Sequence, residues 1–350
     1  MSLLWIEGFE SFGANSGDTV SDGLLDAKYP SLGYDTGGPR MRDGRVTGRS
    51  LSYINGVGST FFITTPSLGN MSTVITGLGF KAGVASIAAF PFLELREENN
   101  ATQGVNLRVT SGGRLDLYLG SFTLIASSAE GVIQLNTWHF VEMKIAVANS
   151  GTYEVRVDGV TVISGSGDTQ AGSSANANMV RLVSPGPGSN VGYYFDDWYV
   201  CDGSGSVNDD FLGDKVVFTI FPNAAGDSTD FTPSTGNNFE NVDETPADGD
   251  STYVESDTGG DRDLYNFGSA PFDTIDGIQV NAVVKKTDST DFGLRLTTKS
   301  SGTVSQGGAQ TVNHTGYKNH YRVMENDPHT SSAWTSSGVN AAQFGVEVDS

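Results

Sequence analysis

The chain is poor in residues that stabilise many secreted proteins or span membranes. It has one cysteine among 350 residues, so no disulfide framework within the chain can hold it together. No run approaches the roughly 18–20 apolar residues that a transmembrane helix needs. The first residues, MSLLWIEGFE, lack a basic segment and carry Glu7 within the apolar run, so the sequence predicts no signal peptide.

Basic residues are also scarce. Lysine and arginine number 20 against 41 acidic residues, for a net charge of −21. We therefore expect no nucleic-acid partner, because binding to a phosphate backbone depends on basic side chains. The charge is uneven, with −7 up to Ser206 and −14 after it.

Long helical periodicity is missing, and period-2 alternation takes its place. In YEVRVDGVTVI (Tyr153–Ile163), apolar and charged residues alternate on either side of Asp158-Gly159. That dipeptide is a strong signal for a two-residue hairpin turn, because glycine accepts a positive φ. The segment Gly104–Gly120 also reads as strand, turn and strand. Strands with one apolar face predict an antiparallel sandwich.

Composition changes after Gly203, which predicts two domains. We place the first at 1–202, a linker at 203–210, and a second, β-rich domain at 211–350 with an acidic loop region at 227–263. Later strands are predicted in the segments GIQVNAVVKK (Gly277–Lys286), FGLRLTTK (Phe292–Lys299) and FGVEV (Phe344–Val348).

Part of the first domain resembles a known sandwich family. The segment NTWHFVEMKIAV…GTYEVRVDGV (Asn136–Val160) is similar to concanavalin A-like lectin/glucanase sandwiches of the laminin-G type. IEGFESF near the start and YYFDDWYV near position 195 look like the opening and closing strands of that sandwich. The resemblance covers roughly residues 3–202 and implies an antiparallel β-sandwich (concanavalin A-like jelly roll) there. With the later strand signals, we expect an all-β chain in which this sandwich is followed by a second, smaller β-domain. It leaves function open, since this fold serves lectins, hydrolases and structural modules.

A second resemblance concerns context. The segments Phe195–Val254 and Asp327–Val348 look like parts of bacteriophage and prophage virion structural proteins. This resemblance implies a non-enzymatic protein on the tail or head surface, for host-surface attachment or particle decoration. The expected partners are other virion proteins, further copies of the chain and host-surface glycans. The expected location is the virion, assembled in bacterial cytoplasm.

Catalytic signatures are absent from the sequence. It has no E-x-D-x-x-E string of the glucanases, and the nearest acidic cluster, Glu94–Asn100, has the wrong spacing and should run off a strand end. No G-x-S-x-G turn occurs, and Cys201 has no histidine near it in sequence. We expect no enzyme; the alternative is a carbohydrate-active enzyme, a polysaccharide hydrolase or depolymerase.

Binding candidates follow from residue type, and each has a structural alternative. Aromatic rings stack on sugars, although aromatics on strands more often fill a core; the glycan-binding candidates are Tyr193, Tyr194 and Trp198. Acidic loops supply the oxygens that Ca²⁺ prefers, although they also serve as solvated surface; the calcium candidates are Asp243, Asp248, Asp250, Asp257 and Asp261. An arginine cluster could dock an acidic partner or simply face outward from strands; its members are Arg40, Arg42, Arg45 and Arg49.

Histidines and one aspartate pair complete the candidates. His139 is predicted to be a strand-face histidine, whereas His314 and His320 flank a polar loop that could form a site. Asp196 and Asp197 are adjacent on a predicted strand and should point to opposite faces. They are therefore not expected to form a catalytic pair, and Asp197 could instead reach a buried partner and fix the strand.

Overall fold

The computed structural model describes residues 2–33, 38–53, 60–83, 90–185 and 192–349. The chain forms two compact units, one of Met1–Leu25 and Tyr29–Phe218 and the other of Asp26–Lys28 and Thr219–Ser350. Strands, numbered in chain order, dominate both units. Among the described residues the two α-helices are short, α1 (Asp22–Lys28) and α2 (Ser336–Ala341), and none could cross a membrane.

The first unit contains an eight-stranded antiparallel sheet. Its spatial order is β13 (Val160–Gly167), β12 (Gly151–Val157), β11 (His139–Ala146), β6 (Thr73–Ala82), β15 (Tyr193–Asp202), β4 (Arg49–Tyr53) and β3 (Arg40–Asp43), with β1 (Leu3–Glu7) also paired to β15. The predicted opening and closing strands of the sandwich are thus hydrogen-bonded neighbours.

A seven-stranded antiparallel sheet packs against it. Its spatial order is β10 (Thr123–Ser127), β9 (Leu115–Leu119), β8 (Thr102–Val109), β7 (Phe90–Glu97), β14 (Ala177–Ser184), β5 (Phe61–Thr64) and β2 (Ser31–Gly33). Aromatic pairs join the sheets: the Phe80 and Phe92 rings lie 4.0 Å apart, and those of Tyr53 and Phe61 lie 5.1 Å apart. The all-β sandwich prediction is confirmed.

Local turn chemistry explains the hairpins. Asp158 and Gly159 have φ of 49° and 78°, as a type I′ turn requires, and Val157 pairs with Val160 across it. The hairpin predicted at this dipeptide is confirmed. The segment Gly104–Gly120 also forms a strand pair, β8 and β9, as predicted.

A β-bulge in β15 changes the orientation of the aspartate pair. Asp196 pairs with Gly79 and Tyr199 with Gly77, so β15 carries one extra residue, and Asp197 has a φ of 50°. Both aspartates contact Arg45, so the prediction that they point to opposite faces is wrong. The strict alternation on which it rested does not continue through a bulge.

Asp197 nevertheless has the structural role expected of it. Its side chain is 3% exposed, and its Oδ2 accepts a hydrogen bond from Arg45 Nε at 2.9 Å. Its Oδ1 accepts a hydrogen bond from the backbone N–H of Val217 at 2.8 Å. Asp197 therefore joins β15 to two other parts of the first unit.

Residues 203–218, here called the covering segment, belong to the first unit. The Gly213 N–H donates to Glu142 Oε1 at 2.8 Å, and the Leu212 N–H donates to the Tyr199 hydroxyl at 3.2 Å. Arg45 donates to the Lys215 carbonyl at 2.7 Å. The first unit therefore extends beyond the sequence-based end at residue 202, and residues 211–218 lie within it.

The second unit has a six-stranded antiparallel sheet and two ribbons. The sheet order is β16 (Pro222–Thr229), β19 (Arg262–Phe267), β25 (Gln343–Val348), β21 (Phe292–Ser300) and β22 (Thr303–Gln306), with β23 (Gln310–Val312) also paired to β21. The ribbons pair β17 (Thr232–Pro233) with β18 (Val254–Glu255), and β20 (Ile278–Val284) with β24 (Lys318–Met324). The three later strand predictions correspond to β20, β21 and β25.

The core of the second unit includes a cluster around α2 and buried strand residues such as Leu264, Leu294 and Leu296. The cluster consists of five buried residues: Met324, Trp334, Val339, Ala342 and Phe344. The acidic loop region begins in β16 and ends in β19, so it is partly strand. Between them it contains a short 3-10 helix, Asn238–Asn241, and exposed turns.

Candidate functional site

A row of polar side chains crosses the outer face of the seven-stranded sheet. Core-facing leucines alternate with outward polar residues on β7, β8 and β9, as the pleat of a strand requires. Cross-strand registers align one residue from each of six strands in a continuous row: Ser31, Thr64, Arg181, Glu94, Asn106 and Tyr118. We call these six residues, together with Arg96 and Arg108 on the same face, the polar row.

Arginines and one carboxylate form the centre of the row. Arg96 Nη1 lies 3.6 Å from Glu94 Oε2, and Arg181 Nη1 lies 3.9 Å from the same oxygen. The Gln103 amide donates to Glu94 Oε1 at 2.6 Å. Arg181 Nε donates to the Thr64 hydroxyl at 2.9 Å, which fixes its guanidinium beside Glu94.

A turn after β7 holds both guanidiniums. Asn99 and Asn100 have φ of 53° and 77°, a conformation that asparagine accepts more readily than most residues. Asn100 Oδ1 accepts hydrogen bonds from Arg96 Nε at 2.9 Å and Arg181 Nη2 at 2.8 Å. The expectation that the acidic cluster leaves the strand end is confirmed, and the turn itself organises the row.

At the other end, Arg108 extends the row toward Tyr118. Its guanidinium carbon lies 3.9 Å from the Tyr118 ring centroid, and its Nε donates to Asn106 Oδ1 at 2.8 Å. Asn106 is fully buried and donates to the Gly120 carbonyl at 2.8 Å. Arg181 stacks in the same way over Phe62, at 4.1 Å. Both arginines are therefore held flat against an aromatic ring.

Burial changes the acidity of these groups. Glu94 is 5% exposed, and burial raises its pKa despite the opposing effect of Arg181 and Arg96. The long separations of those ion pairs explain why desolvation prevails. Burial, together with the charge of Arg96, lowers the pKa of Arg181 to about 10. The arginines stay cationic at neutral pH, so the row combines three fixed positive charges with the Glu94 carboxyl group, which burial pushes toward neutrality. The Asp116 carboxylate on the same face is paired with Arg114, outside the row.

This arrangement can bind an extended anionic ligand. Phe62 on β5 and Tyr118 on β9 are separated by four interstrand steps, about 19 Å at roughly 4.8 Å per step. Planar guanidiniums recognise carboxylates through paired, charge-assisted hydrogen bonds. Charged groups this buried on an outer sheet face are costly to maintain as ordinary surface.

The aromatic candidates have different positions. Tyr193 and Trp198 are fully buried, and the Trp198 indole donates to the Thr76 hydroxyl at 3.1 Å. Neither residue exposes a ring face to a sugar, so the prediction that they bind glycan is wrong. Trp198 points into the core because the bulge reverses the faces of β15 after Asp196. Tyr194 is half-buried on the outer face of the eight-stranded sheet, with Lys81 Nζ 4.1 Å from its ring centroid. It is the one member of this trio that a ligand can reach.

The five calcium candidates do not converge. Among the residues that the structure describes, no three His, Cys, Asp or Glu side chains form a group that could hold a metal ion. Asp250 instead contacts Lys285 at 2.5 Å and accepts a hydrogen bond from the Tyr317 hydroxyl at 2.8 Å. Asp248 and Asp261 contact nearby hydroxyls, and Asp243 and Asp257 are exposed. Calcium binding here stays a prediction from the sequence.

The four arginines of the docking candidate separate into two environments. The Arg45 side chain is 9% exposed and binds Asp197 and Asp214, so its assignment to a docking surface is corrected. Arg49 bridges to Asp43 at the surface at 3.0 Å, and Arg40 and Arg42 lie on β3. Strands β3 and β4 pair as a hairpin, as expected if the arginines simply face outward from strands.

His139 and the single cysteine lie in two strands of the first unit, β11 and β15. His139 lies in β11, contacts Asp158 Oδ2 through Nδ1 at 2.7 Å, and accepts a hydrogen bond from the Gln134 N–H through Nε2 at 2.9 Å. It is the strand histidine that was expected. Cys201 is buried within β15, which keeps its thiol away from solvent.

Sequence reasoning missed the polar row. Its signal was the outward half of the alternation in Gly104–Gly120, where Asn106, Arg108, Asp116 and Tyr118 share one face. The sequence does not show that β7 pairs with β14, which brings Arg181 beside Glu94.

Comparisons with known proteins give fold-level likeness only. No family model matches the chain, and no curated protein sequence matches it. Among solved structures, "Cellulose induced protein, Cip1" has 13% identity and a TM-score of 0.40, covering 54% of this chain and 94% of that one. The alginate lyase Aly36B has 13% identity and a TM-score of 0.39, covering 57% and 95%. The carbohydrate-binding module CBM66 from Bacillus subtilis has 12% identity and a TM-score of 0.33, covering 47% and 92%.

Proposed function

We propose that the first unit is a non-enzymatic carbohydrate-binding module that holds an acidic polysaccharide along the polar row. The observation that carries this proposal is the alignment of Arg96, Arg108 and Arg181 on one sheet face of a chain with a net charge of −21. Such a local excess of positive charge fits a ligand with carboxylates. The row's length fits an oligosaccharide rather than a single sugar.

The geometry also suits sugar recognition in general. Binding sites for polar ligands combine aromatic surface with a few placed hydrogen-bonding groups. Here Phe62 and Tyr118 supply aromatic surface and Gln103 supplies an amide, whereas the fully buried Asn106 orients Arg108. The arginines are held by Asn100, Thr64 and aromatic stacking, so little side-chain entropy is lost when a ligand binds.

A retention experiment tests this function. The full chain is run through gels containing acidic polysaccharides, such as alginate or polygalacturonate, or neutral ones of similar size. We expect retardation by the acidic polymers, strongly reduced in Arg181→Met and Arg108→Met. Arg49→Met removes an equally basic side chain at a surface ion pair and should behave as wild type. Equal migration in every gel would contradict the proposal.

An enzyme remains the second candidate. Glu94, with its raised pKa, is the one carboxyl group of the polar row, and a hydrolase needs two carboxyl groups about 5–10 Å apart. The same incubations, followed by assays for new reducing ends and for unsaturated uronate products, distinguish the two. If wild-type protein forms products and Glu94→Gln does not, the first unit is an enzyme rather than a binding module.

The finer proposal places this module on a virion, for host-surface attachment or particle decoration. Its support is the resemblance of Phe195–Val254 and Asp327–Val348 to bacteriophage structural proteins. Labelled full chain is mixed with bacterial cells before and after removal of their acidic capsule. Retention that is lost with the capsule supports attachment, whereas no retention on any envelope fraction favours decoration. Sedimentation velocity of the same sample tests the expected homo-oligomer.

A further inference from the structure

Two histidines in the second unit face each other. His320 lies in β24, and His314 lies in the loop between β23 and β24. Their Nε2 atoms are 3.1 Å apart, and their rings are 5.4 Å apart with an interplanar angle of 30°. Both side chains are half-buried, so a small solute can reach them.

The other nitrogen of each ring faces an acceptor. His314 Nδ1 lies 2.8 Å from the Gly316 carbonyl oxygen, which can only accept a hydrogen bond. His320 Nδ1 lies 3.1 Å from Gln310 Oε1. The Gln310 amide orientation is fixed because its Nε2 donates to the Tyr321 carbonyl at 2.9 Å. Both Nδ1 atoms therefore carry a hydrogen.

Neutral imidazole has one N–H, so both Nε2 atoms then present bare lone pairs to each other. That contact is repulsive unless a cation lies between the two nitrogens. Two lysines close to the histidine pair each form their own ion pair, Lys285 with Asp250 and Lys286 with Asp291.

We propose that His314 and His320 bind a divalent transition-metal ion, such as Zn²⁺, Ni²⁺ or Cu²⁺, between their Nε2 atoms. Two nitrogens at about 2.0–2.1 Å from a tetrahedral Zn²⁺ would be about 3.3 Å apart, close to the separation found here. Imidazole is a favoured ligand of these metals. The hydrogen bonds from Nδ1 to a backbone carbonyl and an amide oxygen are those that orient metal-binding histidines. Water or a donor from another molecule completes the coordination.

Calorimetric titration of the chelator-treated full chain with Zn²⁺ or Ni²⁺ tests this site. We expect one metal per chain, with binding lost in His314→Gln and His320→Gln. His329→Gln is the matched control, because His329 lies in the same unit and contacts the Thr303 hydroxyl. Gln310→Leu keeps both ligands but removes an orienting acceptor, so it should weaken binding about 10–100-fold.

Resonances of ¹⁵N-labelled histidines provide a second readout, with circular dichroism to check the fold of each variant. Metal should shift the Nε2 signals of His314 and His320 and leave those of His139 unchanged. Wild-type protein that binds Zn²⁺, Ni²⁺ and Cu²⁺ no better than His314→Gln would overturn the proposal. So would equal loss in His329→Gln. In either case a proton shared by the two rings would explain their contact.

Discussion

Arg45→Met should destabilise the first unit far more than loss of a typical surface arginine. The Arg45 side chain is 9% exposed and Asp197 3% exposed, so removing the cation leaves a buried carboxylate without its partner. Breaking a buried pair in this way costs about 3–5 kcal/mol. The second partner, Asp214, is 57% exposed and adds little. Loss of the hydrogen bond to the Lys215 carbonyl also loosens the covering segment.

Urea unfolding measures this cost. A Trp334→Phe background removes the tryptophan of the second unit and leaves those of the first, two of which, Trp5 and Trp198, are fully buried. The free energy of unfolding should fall by about 3–5 kcal/mol in Arg45→Met. Arg49→Met, which breaks an exposed pair, should lose about 0–1 kcal/mol.

A double variant tests the cause of that loss. Asp197→Asn in the Arg45→Met background removes the unpaired charge, so it should recover part of the stability. Equal losses in Arg45→Met and Arg49→Met would refute the reasoning. A double variant no more stable than Arg45→Met would show that lost packing, rather than an uncompensated charge, sets the cost.

Two further variants test packing and titration. Gly77→Ala would place a methyl group about 2.4 Å from the Tyr199 ring, which a hydrogen bond to Glu142 holds in place, so the free energy of unfolding in urea should fall by about 1–3 kcal/mol. The control is Gly167→Ala, whose added methyl group would meet open space. Equal stability of the two variants would contradict this packing argument. Because burial raises the Glu94 pKa, folding takes up a proton there, so stability from this group falls as the pH rises above about 4.3 toward the folded-state pKa. The stability of wild-type protein relative to Glu94→Gln should therefore decrease as the pH rises through this range, and a difference that stays constant or increases with pH would count against the raised pKa.

The strands could be predicted from the sequence because alternation is a local property. Val155 and Val157 are buried while Glu154 is not, as the pattern in YEVRVDGVTVI indicates. The polar row could not be predicted, because it depends on pairing between strands far apart in sequence. Glu94 and Arg181 become neighbours only through the register of β7 with β14.

The segment YYFDDWYVCDGSGSVNDDFLGD shows a different limit. Its glycines and serines indicate turns but do not show which side chains bind the backbone. In the structure, the Gly213 N–H donates to Glu142 and the Lys215 carbonyl accepts from Arg45. These contacts hold the covering segment against the rest of the first unit. Alternation was also misleading at Asp197, where one extra residue reverses the faces that follow.

Recognition of carboxylates by the polar row can be measured directly. Calorimetry compares an oligouronate with its carboxyl-reduced form, which has the same sugar chain without the charges. Hydrogen bonds to charged groups contribute about 1.5–3 kcal/mol, so wild-type protein should prefer the charged form by roughly tenfold or more. Arg181→Met should lose most of that preference, and Arg49→Met should keep it. Equal affinity of wild-type protein for both forms, or no binding of either, would contradict the account.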